Sequence, residues 1–335
     1  MMLRTSPTRL AGAAALAAAL LLTGCGAADT DDGLKPATLM LNWTPNAHHA
    51  GIYYAQEHGL YKAAGIDLQI IEPGDGIGAE AAVAEGKVEF GISQAESLLP
   101  ARAAGMDVAA IATLLPVNDS VLMGLQGSGL TYDAASLAGL TYGGYGGALE
   151  TEIMSELTSC GGGNPDDVEF IEIGNVDYLA GLEQERFDVT WVFGGWDALR
   201  AQTERDDVVI LSMAEYDTCI PNWYTPIIVG SPKLMEQDPE LAAAFLAATS
   251  DGYDAVVEDP AAGAVALLEG APELEQGLVE SAVAYYAPRF TEQGKFGEMD
   301  ERVWERFTDF LVQAAMLEDA TALDGAWTND YLPAT

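Results

Sequence analysis

The sequence predicts an α/β protein in two lobes, each a mostly parallel sheet flanked by helices, with two hinge strands between them. Three observations predict it. Between residues 38 and 230, apolar strand-like runs alternate with helix-like runs, the rhythm of parallel strands joined by crossover helices. That rhythm restarts near residue 121, after a first group of four strands. Beyond residue 232 only helical patterns remain. One lobe is therefore expected to be discontinuous, residues 38–120 plus 229–335, and the other to be residues 121–228.

Taken in order, residues 38–43 read as a strand, 50–58 as a helix closed by Gly59, 66–71 (IDLQII) as a strand and 76–85 as a helix ended by Gly86. Residues 88–92 are a strand, 94–104 a helix and 108–114 a strand. In the second group the strands are 121–126, 140–143, 168–173, 187–192 and 208–211, with helices at 150–159, 178–184 and 196–204. The PIIVG run at 226–230 closes the series, and segments 119–127 and 225–230 are the candidate crossovers. Pro232, Pro239, Pro260 and Pro272 then punctuate helical stretches, as suits first turns, where a proline forfeits no hydrogen bond.

Ahead of the lobes stands an export signal. Arg4 and Arg9 precede an uncharged run at 10–22, too short to remain as a spanning helix, and the run ends in Leu22-Thr23-Gly24-Cys25. This matches a bacterial lipoprotein signal. Residues 1–24 are expected to be removed, Cys25 to carry the lipid, and 25–37 to form a polar tether. The protein would then face outward from the cytoplasmic membrane. The 311 residues from Cys25 onward are enough for two ordinary domains.

Formal charge is −38, and −40 once Arg4 and Arg9 are gone. Nucleic acid is excluded as a partner, since phosphate binding needs a basic footprint. Cys160 and Cys219 remain as a pair in an oxidising compartment, and the sequence leaves open whether they are bonded. No CxxC is present. His48 and His49 are adjacent, about 100° apart on a helix, and do not suit one metal ion. The G-x-G-x-x-A run at 76–81 is read as a helix entry rather than a dinucleotide fingerprint. No metal, no cofactor and a monomer are expected.

The most specific segment is LNWTPNAHHAGIYYA at 41–55. Its first strand delivers Asn42 and Trp43 to the carboxyl edge of a sheet, where open α/β sheets bind ligands. Trp43 offers a flat face, Asn42 a donor and an acceptor, and His48 is a further candidate contact. A second segment, GKVEFGISQAESLL at 86–99, places Ser93 and Gln94 at a strand-to-helix turn. There Ser93 suits either a ligand hydrogen bond or a helix cap.

These two segments resemble the family of thiamine-pyrimidine precursor proteins, which holds solute-binding proteins of ABC importers and a pyrimidine synthase, within the wider group of sulfonate, taurine and nitrate binders. The resemblance implies the type II periplasmic-binding-protein fold, a small heteroaromatic solute in the interlobe cleft, and an importer permease as partner. Synthase members carry a lysine and, four residues on, a histidine where this chain has Ser93 and Ser97. The synthases' cysteine-rich motif is also absent, so the resemblance implies a binder rather than an enzyme. A thiamine pyrimidine is the first ligand expected, with riboflavin or a sulfonate, taurine or nitrate as alternatives.

In the second lobe, Tyr145, Gly146, Gly147 and Glu150 stand at a glycine-rich strand-to-helix turn. The glycines allow close backbone approach and Tyr145 could close over a ring. Glu150 suits either an acidic contact, which the resemblance implies, or a cap of the first helical turn. Trp196 and Asp197 stand at another such turn, and Asn175 at a third. By strand alternation Trp191 and Phe193 point into the core with Val189.

Overall fold

The computed structural model describes residues 33–74, 76–174 and 176–334. The expected export signal at 1–24, the expected lipidation site Cys25 and the candidate contact Asn175 lie outside the described residues. From Leu34 onward the chain forms a unit of its own. Among the described residues its ten strands are β1 Lys35–Met40, β2 Ile66–Ile71, β3 Phe90–Ser93, β4 Ala109–Thr113, β5 Ser120–Leu125, β6 Thr141–Gly144, β7 Glu169–Glu172, β8 Val189–Phe193, β9 Val208–Ser212 and β10 Ile227–Gly230.

They form two five-stranded sheets, ordered β2-β1-β3-β10-β4 and β7-β6-β8-β5-β9. In the first, β1 lies parallel to β2 and β3, and β10 runs antiparallel between β3 and β4. In the second, β6 lies parallel to β7 and β8, and β5 runs antiparallel between β8 and β9. Each crossover feeds straight into the antiparallel strand of the next sheet. Residues 114–119 lead into β5 and residues 213–226 into β10.

Three boundaries differ from the sequence reading. β1 starts at Lys35 rather than residue 38 and stops at Met40, because all six of its residues pair with β2. Pro36 is tolerated there, since β3 pairs only with Leu39 and Met40 and leaves the other side of Pro36 off the ladder. Ser120 already pairs with Phe193 in the second sheet, and Ile227 and Ile228 already pair with Ser93 and Ile92 in the first, so the sheets exchange one residue before 121 and two before 229.

Helices Pro239–Glu258, Pro260–Gly270 and Gln276–Tyr286 pack on one face of the first sheet, and helix Glu301–Gln313 packs against residues of its other face. Phe245 stacks on Phe90 at 3.9 Å, and Tyr253 stacks on Phe296 at 3.9 Å. Helix Ala50–Glu57 crosses helix Pro239–Glu258 at two glycines. A Cβ on Gly51 would fall 2.3 Å from the Tyr253 ring, and one on Gly252 would fall 2.2 Å from the Gly51 carbonyl oxygen. This close crossing anchors the helix that follows the Asn42–His49 segment. In the second lobe Phe187 packs over Gly143 of β6 and Gly181 of helix Tyr178–Glu183. Cys160 and Cys219 are joined by a disulfide, Cα to Cα 6.2 Å.

Candidate functional site

Between the two sheets lies a cavity of about 640 Å³, an ordinary size for a small-molecule site. Its walls come from the carboxyl ends of the parallel strands: Asn42, Trp43 and His48 after β1, Gln94 after β3, Tyr145, Gly147 and Glu150 after β6, and Trp196 and Asp197 after β8.

The Asn42 side chain has a definite orientation. Asn46 caps the turn Ala47–His49, its Oδ1 accepting from the His48 N–H at 3.0 Å. The Asn46 N–H in turn donates to His49 Nδ1 at 3.3 Å. A backbone N–H can only donate, so His49 Nδ1 carries no proton, and its Nε2–H donates to Asn42 Oδ1 at 3.1 Å. Burial holds the His49 imidazole down at about 3, so the ring stays neutral and this tautomer persists. Asn42 therefore presents its NH₂ group as the free end.

His48 is buried and, by burial first and by His49 second, is also held down at about 3. Its ring meets Phe193 edge-on at 5.1 Å and Tyr286 at 4.4 Å, and its Nε2 has no hydrogen-bond partner. Glu150 is the capping carboxylate of helix Ala148–Cys160. Its oxygens accept from the Tyr142 hydroxyl at 2.9 Å, the Tyr145 N–H at 2.8 Å and the Gly147 N–H at 3.2 Å. A carboxylate has about four acceptor positions, so one remains for the cavity. Burial pushes the Asp197 carboxyl up to about 6, against the pull of Arg200. The Tyr145 and Tyr178 hydroxyls join at 2.7 Å and close one side.

Three expectations need correction. Ser93 does not line the cavity, nor does it cap the following helix. It is fully buried and its hydroxyl donates to Glu80, because the strand end turns it back beneath the sheet edge. Gly146 does not line the cavity either; at φ +80° it makes the turn that brings Tyr145 and Gly147 onto Glu150. Trp191 and Phe193 do line it. Both share a strand face with Val189, which is fully buried, but that face leaves the core towards the carboxyl end of β8. The reading also passed over Asn46, Glu96, Ser97, Leu149, Val192 and Tyr178. Glu96 lay inside the quoted 86–99 segment, and a carboxylate in the first turn after a parallel strand was the available signal.

Asp119 in the first crossover bonds to both lobes. It accepts from the Tyr285 hydroxyl at 2.8 Å, the Tyr286 hydroxyl at 2.7 Å and the Gly195 N–H at 2.9 Å. The tyrosines belong to helix Gln276–Tyr286, which packs beside His48, and Gly195 to the π turn Gly194–Ala198 that carries Trp196 and Asp197. A Cβ on Gly195 would fall 2.3 Å from the Tyr285 ring, so only glycine fits.

Residues 46–263 match the model of the NMT1/THI5-like family. The chain belongs to that family. Similar to this NMT1/THI5-like chain are the formylaminopyrimidine-binding protein of Halalkalibacterium halodurans, 26% identical over 91% of this chain and 96% of that one, and the 4-amino-5-hydroxymethyl-2-methylpyrimidine phosphate synthase THI5 of Saccharomyces cerevisiae, 27% identical over 88% and 87%. Among solved structures, the periplasmic aliphatic sulphonate binding protein SsuA of Escherichia coli superposes with a TM-score of 0.66 at 13% identity, covering 90% of this chain and 94% of that one. The ligand-binding component of an ABC-type import system from Staphylococcus aureus gives 0.68 at 13% identity over 89% and 97%. The fold is thus the periplasmic-binding-protein fold, with two α/β lobes.

Proposed function

We propose that this NMT1/THI5-like protein is an extracytoplasmic solute-binding protein, tethered through Cys25, that captures a thiamine-type aminopyrimidine between its lobes and presents it to an ABC-importer permease. One observation carries the reading. The cavity combines flat aromatic walls, Trp43 and Trp196 among them, with the carboxyl groups of Glu96, Glu150 and Asp197, and no lysine or arginine lines it among the described residues. An anion brought within 4 Å of one ionised carboxylate meets a repulsion of about 4 kcal/mol at an effective dielectric of 20. Sulfonate, nitrate and phosphorylated ligands are disfavoured on that ground. An uncharged ring bearing N–H groups suits it.

In the binding step the ring stacks on Trp43. The Asn42 NH₂ donates to an acceptor on its edge, and the free acceptor position of Glu150 takes an N–H. Closure of the lobes, residues 120–226 against the remainder, would shed water from both ring faces, and aromatic stacking adds about 0.5–1.5 kcal/mol beyond area burial. Ser93 and Ser97 at the positions of the synthase lysine and histidine support binding over synthesis.

The test is calorimetry and thermal shift with 4-amino-5-hydroxymethyl-2-methylpyrimidine and its formylaminopyrimidine relative. Heat and stabilisation are expected with at least one, and silence with both discards the pyrimidine. Incubation with pyridoxal phosphate and iron is expected to yield no pyrimidine product; a product would establish the synthase instead.

A further inference from the structure

Among the described cavity carboxyls, Glu96 carries a buried oxygen that the fold leaves unpartnered. Glu150 is held by three donors, whereas Glu96 Oε2 is buried and has no hydrogen-bond partner. It stands in the first turn of helix Ala95–Ala103 and lines the cavity beside Gln94 and Ser97. Buried polar atoms are normally paired, and an unpaired one at a cavity wall is an invitation to a ligand atom.

The titratable groups around it come from every side. Glu80 on helix Ala79–Ala84 is engaged by Ser93, and Trp223 lies in the second crossover. The neutral His48 follows β1, while Glu150 and Asp197 stand on the second lobe's wall. Burial, opposed by its own backbone N–H and the Trp223 indole and helped by the charge of Glu80, pushes the Glu96 carboxyl up to about 8. At neutral pH it is a carboxylic acid, with one O–H to donate and one oxygen to accept.

We propose that Glu96 determines specificity by reading the amidine edge of the ring, its O–H donating to an unprotonated ring nitrogen and its other oxygen accepting from the amino group beside that nitrogen. This two-point match selects a ring carrying an amino group next to a ring nitrogen, and rests on the aminopyrimidine reading above. A ligand lacking the amino group leaves one oxygen unpaired, and an ionised Glu96 cannot donate at all.

The experiment uses the full-length lipid-free protein and two probes, 4-amino-5-hydroxymethyl-2-methylpyrimidine and the same ring without its 4-amino group. The wild type is expected to favour the amino compound by at least tenfold. Glu96→Leu should lose that preference by weakening only the amino compound. Glu96→Gln, which also offers one donor and one acceptor, should keep it. Between pH 7 and 9 wild-type affinity should fall about tenfold as a group titrating near 8 ionises, while the Glu96→Gln profile stays flat. Retention of the amino preference in Glu96→Leu, or a flat wild-type pH profile, overturns the assignment of Glu96 while leaving the pyrimidine in place. No binding of either probe by the wild type overturns the pyrimidine reading and this assignment together. Should Glu96→Leu not fold, the comparison of the wild-type and Glu96→Gln profiles still decides.

Discussion

Replacing Asp119 with asparagine tests whether the carboxylate at the crossover holds the lobes together. Three donors converge on it, two tyrosine hydroxyls and the Gly195 N–H, at 2.7–2.9 Å. A hydrogen bond to a charged group contributes about 1.5–3 kcal/mol and a neutral one about 0.5–1.5 kcal/mol. Asparagine makes the bonds neutral and turns one acceptor into a donor. A tyrosine hydroxyl can rotate to accept from the new NH₂, so the conservative loss is about 2 kcal/mol. Tyr285 and Tyr286 belong to one lobe and Gly195 to the other, so the loss falls on the closed arrangement. Two kcal/mol is about a thirtyfold change in the closed-to-open ratio, since each 1.4 kcal/mol is tenfold. Asp119→Asn should therefore bind its solute up to about thirtyfold more weakly, through faster dissociation. Its unliganded form should give a larger radius of gyration by solution scattering. Tyr285→Phe, which removes one donor without opposing two, should lose less. Asp119→Asn with wild-type affinity, off-rate and scattering would refute the latch.

Four further outcomes follow from geometry and charge. Gly51→Ala and Gly252→Ala each force a methyl into the helix crossing and should cost about 1–3 kcal/mol in denaturant titration, as overpacking does. The disulfide spans a separation of 59 residues, so Cys160→Ser should lower stability by about 2–4 kcal/mol, an effect that vanishes if wild type is compared under reducing conditions. His48 and His49 are held at about 3 in the fold against 6.5 unfolded. Their contribution is whole above pH 6.5 and shrinks as pH falls towards 3, by about 2 kcal/mol each at pH 5; a His48→Gln and His49→Gln pair should flatten that acid limb. Glu96 and Asp197 behave oppositely, since their raised values of about 8 and about 6 mean stability lost as pH climbs. Thermal melts of Glu96→Gln should gain on wild type between pH 5 and 8.

Local pattern carried the elements whose fate depends on their own residues. Ile66–Ile71 reads as a strand by alternation and is one, and Ala148–Cys160 differs from its reading only at its ends. Asn42 and Trp43 reach the cavity because a strand before them aims at a sheet edge. What stayed hidden depends on distant partners. The free NH₂ of Asn42 follows from a His49 tautomer set by Asn46, and no spacing rule announces it. Ser93 looked like a ligand or a cap, and only the neighbouring helix brings Glu80 to its hydroxyl. Gly194 and Gly195 read as a strand-to-helix turn ahead of a helix at 196–204, but Tyr285 and Tyr286, some ninety residues on, leave space at Gly195 for glycine alone and the backbone makes a π turn over Gly194–Ala198. Trp191 was misplaced because alternation names a face and does not say where along the strand that face meets a cavity.

The insertion of β10 between β3 and β4 also orders the chain's assembly in time. As the polypeptide emerges from its amino end, every strand of the second sheet has appeared by Ser212, and Cys219 and Trp223 follow to complete that lobe's disulfide and core. The first lobe at that moment has a slot one strand wide, with backbone groups of Phe90–Ser93 and Ala109–Thr113 open towards each other. Only arrival of Ile227–Gly230 fills it. A chain truncated before that tetrapeptide would thus carry a complete second sheet attached to a gapped first one, with two bare strand edges to be shielded from neighbours.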